Sequence, residues 1–189
     1  MSLNRTSRHL QTSALLRRSR GFSMIELLSV ASIAITAVGA SVGSARTLML
    51  TQRMEGIATE VENSVQLARS HAISQGQTVY LSIQQQAGAA CVLTHTGARD
   101  ACTCQANGAA TCQGDAELLH QSRLDTSTGV RVQTNAPAMA FSALRGMVTP
   151  TATIRLIDTQ GRALHQIVNV MGRTRTCSPK PAMAGYKAC

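Results

Sequence analysis

The chain has 189 residues and a formal net charge of +9, with no tryptophan, two tyrosines and two phenylalanines. This length accommodates one globular domain. So few aromatic side chains cannot form the stacking platforms with which proteins bind single-stranded nucleic acid. No glycine-rich phosphate loop and no Ser/His/Asp arrangement is recognisable, so we expect neither an enzyme nor a cofactor site. A protein that binds the backbone of a polyanion remains compatible with this composition.

The N-terminus predicts a leader followed by an apolar helix. Residues 1–21 contain five arginines and no acid, and Glu26 then stands just before the uncharged residues 27–45. A carboxylate inside a membrane costs roughly 2.5–3.5 kcal/mol on insertion scales, so Glu26 requires a specific partner. The arginines beside the apolar run predict that the leader stays cytoplasmic and that the C-terminal domain is exported.

The order of Gly21, Phe22, Glu26 and the apolar run resembles the processing site of type IV prepilins and type II secretion pseudopilins. The resemblance implies that a prepilin peptidase cuts after Gly21, that Phe22 is methylated, and that Glu26 neutralises the N-terminus of a neighbouring subunit. The alternative is an ordinary secretory signal peptide cut near residues 38–40. Glu26 argues against that alternative because an acid at this position weakens a signal peptide.

Beyond the apolar run, the sequence predicts that the helix continues. Apolar residues recur at intervals of three and four from Leu50 to Ala72, which indicates one face of an amphipathic helix. The first proline is Pro137, so one helix from about residue 23 to about residue 74 is permitted. We therefore predict a membrane or filament-core helix over residues 22–45 and its amphipathic continuation over residues 46–76.

Residues 77–189 are predicted to form a β-rich domain. Strand-like segments cover residues 77–84, 91–94, 129–134, 138–142, 151–158 and 164–171. Asp158 to Gly161 predicts a hairpin turn between the last two segments, and residues 87–115 have the composition of a loop. The predicted fold class is α+β, with a long N-terminal helical spine packed on an antiparallel β-sandwich-like domain.

Six cysteines in an exported domain predict disulfides. Locality favours a Cys177–Cys189 bridge, which closes a short loop and stabilises the fold by very roughly 2–3 kcal/mol. Six cysteines allow 15 connectivities, and the sequence does not choose among those of the other four cysteines. These four, with His95 upstream of three of them, could instead ligate zinc, but their spacing is irregular for such a site. The four are Cys91, Cys102, Cys104 and Cys112.

The positive charge of the chain after the leader lies at the C-terminus. Residues 142–189 hold seven basic residues and one acid. Arg173 and Arg175 are two apart, so in an extended chain they project to one side and present two guanidinium forks that match phosphate. Gly172 permits either a sharp turn or a close approach of the backbone to a partner.

The C-terminal tail is expected to add two further cations to this site. If Cys177 is bonded to Cys189, the tail folds back, and Lys180 and Lys187 are expected to lie beside the two arginines on one closed tip. A solvated basic face is the alternative interpretation of such a charge cluster.

The processing site, residues 141–146 and the Gly172-Arg173-Thr174-Arg175 element together resemble the FimT/GspH group of minor pilins and pseudopilins. In FimT-like members a C-terminal Gly-Arg-x-Arg element is associated with binding DNA in natural transformation. The resemblance implies that Gly172, Arg173 and Arg175 bind the backbone of double-stranded DNA without sequence preference. It also implies a single pass through the bacterial inner membrane with a periplasmic C-terminal domain, and assembly with other pilin subunits in a pilus, where the tip is one expected position. The alternatives are a minor pseudopilin of type II secretion and an assembly-priming subunit without a ligand.

Overall fold

The structure is a computed structural model that describes residues 22–127 and 129–189, without the side chains of residues 39–44. The predicted leader, residues 1–21 with Gly21, lies outside the described residues. The chain divides into two compact units, residues 1–43 and 44–189.

One helix, α1 (Met24–Gln75), begins in the first unit and ends in the second. It has no internal proline, and it ends before Gly76, whose φ of 62° suits a helix C-terminus. The helix predicted from about residue 23 to about residue 74 is therefore confirmed. Among the described residues, no helix is long and apolar enough to cross a membrane. The predicted span over residues 22–45 includes residues whose side chains lie outside that description.

In the described part of the first unit, the apolar side chains are exposed. Phe22 is 74% exposed, and the large apolar side chains of α1 up to residue 38 are exposed as well. The hydroxyls of Ser29, Ser32 and Thr36 donate hydrogen bonds to backbone carbonyl oxygens three or four residues earlier in the helix. These bonds satisfy the polar side chains of an otherwise apolar helix within the helix itself.

The second unit contains the strands. The structure assigns β1 (Val79–Gln86), β2 (Ala89–His95), β3 (Cys102–Cys104), β4 (Ala110–Cys112), β5 (Leu118–Asp125), β6 (Val130–Thr134), β7 (Ala138–Phe141), β8 (Val148–Thr149), β9 (Ala152–Asp158), β10 (Ala163–Val168) and β11 (Thr174–Cys177). They form a five-stranded sheet in the order β5-β2-β1-β7-β8, a four-stranded sheet in the order β11-β10-β9-β6 and the hairpin β3-β4. Every pairing between these strands is antiparallel, which confirms the predicted α+β class.

A single large core joins the second half of α1 to both sheets. The helix contributes the apolar face predicted from its three- and four-residue spacing, including Met54, Val61, Val65, Ala68 and Ala72, all at 0% exposure. Along each strand, alternate side chains point inward, and the strands contribute these inward side chains to the core. Each large side chain buried here contributes about 1.5–3 kcal/mol of transfer free energy. The residues of the core all lie between positions 54 and 183, inside the second unit.

The disulfides lie in two places. Cys91–Cys104 holds residues 96–117 against the outer face of the five-stranded sheet, where Leu93 and Cys102 belong to a small second core. Cys102–Cys112 joins β3 to β4 within that segment. The structure also pairs Cys177 with Cys189. Because the four central sulfurs are in disulfides, they are not thiolate ligands for a metal.

The predicted strands differ from the observed ones in several regions. The segment predicted over residues 164–171 ends at Val168, and residues 169–173 form a turn before the unpredicted strand β11. The strand β5 was not predicted because its inward face carries His120 and Ser122 beside Leu124, which hides the period of two. The strands β3 and β4 lie inside the region predicted to be a loop.

Candidate functional site

The turn between β10 and β11 sets the position of the predicted Gly-Arg-x-Arg element. The side-chain oxygen Oδ1 of Asn169 accepts hydrogen bonds from the backbone N–H groups of Met171 and Arg173, each at 3.0 Å. The N–H of Gly172 donates to the carbonyl oxygen of Asn169 at 2.9 Å. An asparagine that bonds its own backbone in this way fixes a tight turn. Asn169 is therefore a positioning residue for Arg173, which the sequence analysis missed.

Gly172 is buried in this turn and faces the protein. Its φ is 70°, and a Cβ atom there would lie 2.9 Å from the carbonyl oxygen of Gly146 and 2.9 Å from Cδ of Arg69. Both contacts are shorter than ordinary van der Waals contacts, so a side chain at this position requires a shift. Gly172 thus permits a close approach of its backbone to Gly146 and Arg69 of the same chain, rather than to a binding partner.

The two C-terminal segments that resemble the FimT/GspH group meet at this point. Gly146, at the end of residues 141–146, also has a positive φ, and a Cβ on it would lie 2.8 Å from Cγ of Arg69. The N–H of Val148 donates to the carbonyl oxygen of Val170 at 2.8 Å, which links β8 of one sheet to the turn of the other. The two glycines therefore allow both turns to pack around one arginine of α1.

Arg173 and Arg175 are brought together. Both side chains are exposed, and both line a surface depression of about 480 Å³ that also contacts Ile167 and Asn169. The close contacts between basic and acidic side chains among the described residues are His120–Glu60 and Arg162–Asp158, so neither arginine is neutralised by a carboxylate. Because β11 is the edge strand of its sheet, the two guanidinium groups are open to a partner from the side and from the face.

Lys180 and Lys187 lie beyond the other end of β11, and both are exposed. The tail that carries them is held by Ser178, whose hydroxyl donates to the carbonyl of Ala163 at 2.8 Å. It is also held by Tyr186, whose hydroxyl donates to Oε1 of Glu55 at 3.2 Å. Burial, together with the charge and hydrogen bond of Glu55, raises the pKa of Tyr186.

These contacts separate the lysines from the Gly172 turn. The tail contacts α1 at Glu55, whereas Gly172 contacts α1 at Arg69. Fourteen helical residues separate these two contact points, or about 21 Å of helix axis. The tail is therefore held beyond the opposite end of β11 from the Gly172 turn. The backbone carbonyl of Lys187 accepts a hydrogen bond from the N–H of Ser178 at 2.9 Å, three residues after Arg175. That the four cations act as one tip stays a prediction.

The outward face of the four-stranded sheet carries further cations that the sequence analysis did not identify. Arg131 on β6 and Arg155 on β9 are exposed, and Arg155 lies directly opposite His165 of β10. Partial burial, and then the positive charge of Arg155, lower the pKa of His165. The sequence signal was the alternation of each strand, which places these residues on the face opposite the core.

The described residues of the predicted processing site lie at the start of α1. Phe22 precedes the helix, and Glu26 lies in its first turn with an exposed side chain. The backbone N–H of Glu26 donates to the carbonyl oxygen of Ser23 at 3.0 Å. An acid in the first turn is favourable because the helix dipole places partial positive charge there.

Known proteins similar to this chain include two filament subunits of solved structure. The minor pseudopilin EpsH from the type 2 secretion system of Vibrio cholerae is 16% identical over 68% of this chain and 98% of its own, with a TM-score of 0.45. The type IV minor pilin FimU of Pseudomonas aeruginosa is 15% identical over 69% of this chain and 95% of its own, with a TM-score of 0.48. No curated protein sequence matches the chain.

A family model does match. The model described as "Type II transport protein GspH" covers residues 58–172 of this chain. The matched residues extend from the second half of α1 to the turn before β11, and they exclude the processing site, Arg173 and Arg175. Because the match covers more than half of the chain, this protein belongs to the GspH family of minor pilins and pseudopilins.

Proposed function

We propose that this chain is a minor type IV pilin whose C-terminal domain binds the phosphate backbone of double-stranded DNA for uptake in natural transformation. The observation that supports this function is the pair Arg173 and Arg175, two exposed guanidinium groups that line one depression and have no carboxylate partner among the described residues. Guanidinium groups bind phosphate oxygens bidentately and keep their charge at any physiological pH.

The remaining predicted DNA-binding residues have different parts in this proposal. Gly172 acts by shaping the turn that presents Arg173, since its own backbone is buried against Gly146. Lys180 and Lys187 extend the line of positive charge past the end of β11. The site is built from a turn and a strand edge rather than from a helix that enters the major groove, so the contacts are with phosphates and carry no sequence information.

The first unit supports assembly with other pilin subunits. Its exposed apolar side chains, from Phe22 to Val38, require an apolar environment, which neighbouring subunits in a filament or the inner membrane would supply. We propose that Glu26 pairs with the processed N-terminus of a neighbour after cleavage by the prepilin peptidase between Gly21 and Phe22. The protein would then be anchored in the inner membrane before assembly, with its second unit in the periplasm.

A second function is favoured by one observation. The matching family model is described as a type II transport protein, which favours a minor pseudopilin of type II secretion. In that case Arg173 and Arg175 contact acidic groups of another subunit. The two functions differ in a simple way, because only the first predicts affinity for DNA.

The test is fluorescence anisotropy with a labelled 30-base-pair duplex of arbitrary sequence and the domain of residues 44–189, which contains the whole observed core. The double variant Arg173→Ala/Arg175→Ala should lose on the order of a hundredfold in affinity at about 50 mM salt, since each lost phosphate contact forfeits the release of its counterions. Arg46→Ala, an exposed arginine on α1, is the matched control and should bind like the unmodified domain. Equal binding by the double variant would show that this element is not the DNA site.

A further inference from the structure

We infer that the DNA-binding surface continues from Arg175 across the open face of the four-stranded sheet, with Arg155 and Arg131 as its next phosphate contacts. This inference rests on the proposed function and names the path of the duplex on the protein. The path is diagonal to the strands, from the edge strand β11 over β10 and β9 to β6.

The strand registers place the arginines on one face. Arg175 lies opposite Ile167 of β10, which lies opposite Thr153 of β9. Arg155 follows two residues after Thr153, so its side chain projects from the same side of the sheet. The inward residues of these strands, such as Ile154 and Leu156, are completely buried in the core. The face with the arginines is therefore the solvent face.

The same strand registers give the distances between the three arginines. Arg155 lies opposite Gln133 of β6, and Arg131 precedes Gln133 by two residues. With neighbouring strands about 4.8 Å apart and about 3.4 Å per residue along a strand, Arg175 and Arg155 are about 12 Å apart, and Arg155 and Arg131 about 8 Å. The whole path measures about 20 Å, which corresponds to roughly six base pairs of duplex at 3.4 Å each.

In the four strands of this sheet, all of them described by the structure, no acid lies on the face with the arginines. The acid within these strands is Asp158, which is 1% exposed on the inward side. Its carboxylate accepts hydrogen bonds from the backbone N–H and from Nε of Arg162, at 2.9 Å and 2.7 Å. The neighbours of the three arginines on the open face include Gln133, Thr153, Ile157 and Ile167, all uncharged. Polar residues are ordinary on the solvent face of an antiparallel sheet. Several charges of the same sign on that face repel one another, however, unless a group of opposite charge binds there.

The other sheet does not offer a comparable surface. Its outer face is covered by residues 96–117, which the disulfides hold in place, and the side chain of Gln84 bonds the backbone of Cys102 and Cys104 across that contact. The four-stranded sheet keeps its face open, and that face adjoins the proposed contacts at Arg173 and Arg175. A straight duplex that contacts Arg175 and lies on this face reaches Arg155 and Arg131 without bending.

The experiment compares two double variants of the 44–189 domain that remove the same charge. Arg131→Gln/Arg155→Gln removes two cations from the sheet face, and Arg46→Gln/Arg99→Gln removes two exposed cations outside it. Duplex affinity is measured by anisotropy between about 50 and 200 mM salt, and thermal unfolding shows whether both variants are folded. Arg173, Arg175, Arg155 and Arg131 supply about four phosphate contacts in this proposal, so the slope of log K against log salt should be about −3 to −4 in the unmodified domain. The face variant should reduce that slope by about two, and the control variant should leave it unchanged.

The outcomes separate this inference from the function on which it rests. If both variants weaken binding equally, or if the face variant binds like the unmodified domain, the path across the sheet is wrong although DNA binding stands. If the unmodified domain does not bind duplex at about 50 mM salt, the proposed function itself fails.

Discussion

Replacing Gly172 by alanine tests whether this glycine is a structural residue of the turn. A residue other than glycine at a φ of 70° costs about 1–2 kcal/mol from backbone strain alone. The new Cβ would also lie 2.9 Å from the carbonyl oxygen of Gly146, a backbone atom that moves only if a second turn moves. Overpacking of this kind costs about 1–3 kcal/mol. We therefore expect Gly172→Ala to lower the free energy of unfolding by about 2–5 kcal/mol.

Gly161, in the turn between β9 and β10, allows the cost of the close contact to be separated from the cost of backbone strain. Gly161 has a φ of 79°, but a Cβ atom there meets nothing within 4 Å, so Gly161→Ala should cost only the strain of about 1–2 kcal/mol. Urea unfolding of the 44–189 domain, followed by circular dichroism, measures both values. Equal losses for the two variants would refute the conclusion that Gly172 is confined by Gly146 and Arg69.

Three further predictions follow from the processing site, the cysteines and the sheet face. Protein isolated from the membrane fraction should begin at Phe22 and carry one added methyl group by intact mass, and Gly21→Ala should block this maturation; a start near residue 41 would instead establish a signal peptide. DNA binding should tighten as the pH falls from about 7.5 into the acidic range, because partial burial and the charge of Arg155 lower the pKa of His165, which is therefore neutral at about pH 7.5 and adds a cation only when the pH falls below its ordinary titration range. In the sheet, His165 lies opposite Arg155 on one side and the disulfide-bonded Cys177 on the other. If the His165→Gln variant kept the same pH dependence of DNA binding, His165 would not be its source. Peptide mapping without reduction should recover three crosslinked pairs and no others, namely Cys91–Cys104, Cys102–Cys112 and Cys177–Cys189.

The sequence predicted those features that depend on local pattern. The spacing of apolar residues from Leu50 to Ala72 was sufficient to predict the packed half of α1, because the side chains on one helix face follow from the helical period alone. Alternation was likewise sufficient for β6 and β9, where every inward residue before the last one of the strand is aliphatic. It failed at β5, where polar side chains such as His120 face α1 and bond Glu60 rather than form part of the core.

The features that depend on distant contacts could not be predicted. The C-terminal tail is held on α1 by the hydrogen bond between Tyr186 and Glu55, which are far apart in sequence, so the sequence alone could not give the direction of the tail. Arg131 and Arg155 belong to β6 and β9, which two other strands separate in sequence, and only the strand register shows that they share a face with Arg175. The terminal arginines themselves were identified from a short motif, and the structure adds the turn at Asn169 that presents them.

The salt dependence of DNA binding tests the central claim most directly. The measurement is the affinity of the unmodified 44–189 domain for a duplex at about 50 and 200 mM salt, repeated with a second duplex of unrelated sequence. With about four phosphate contacts, we predict a loss of roughly a hundredfold in affinity over this fourfold rise in salt, and equal affinities for the two sequences. No binding at the lower salt would contradict the proposed function and favour a pseudopilin or an assembly-priming subunit.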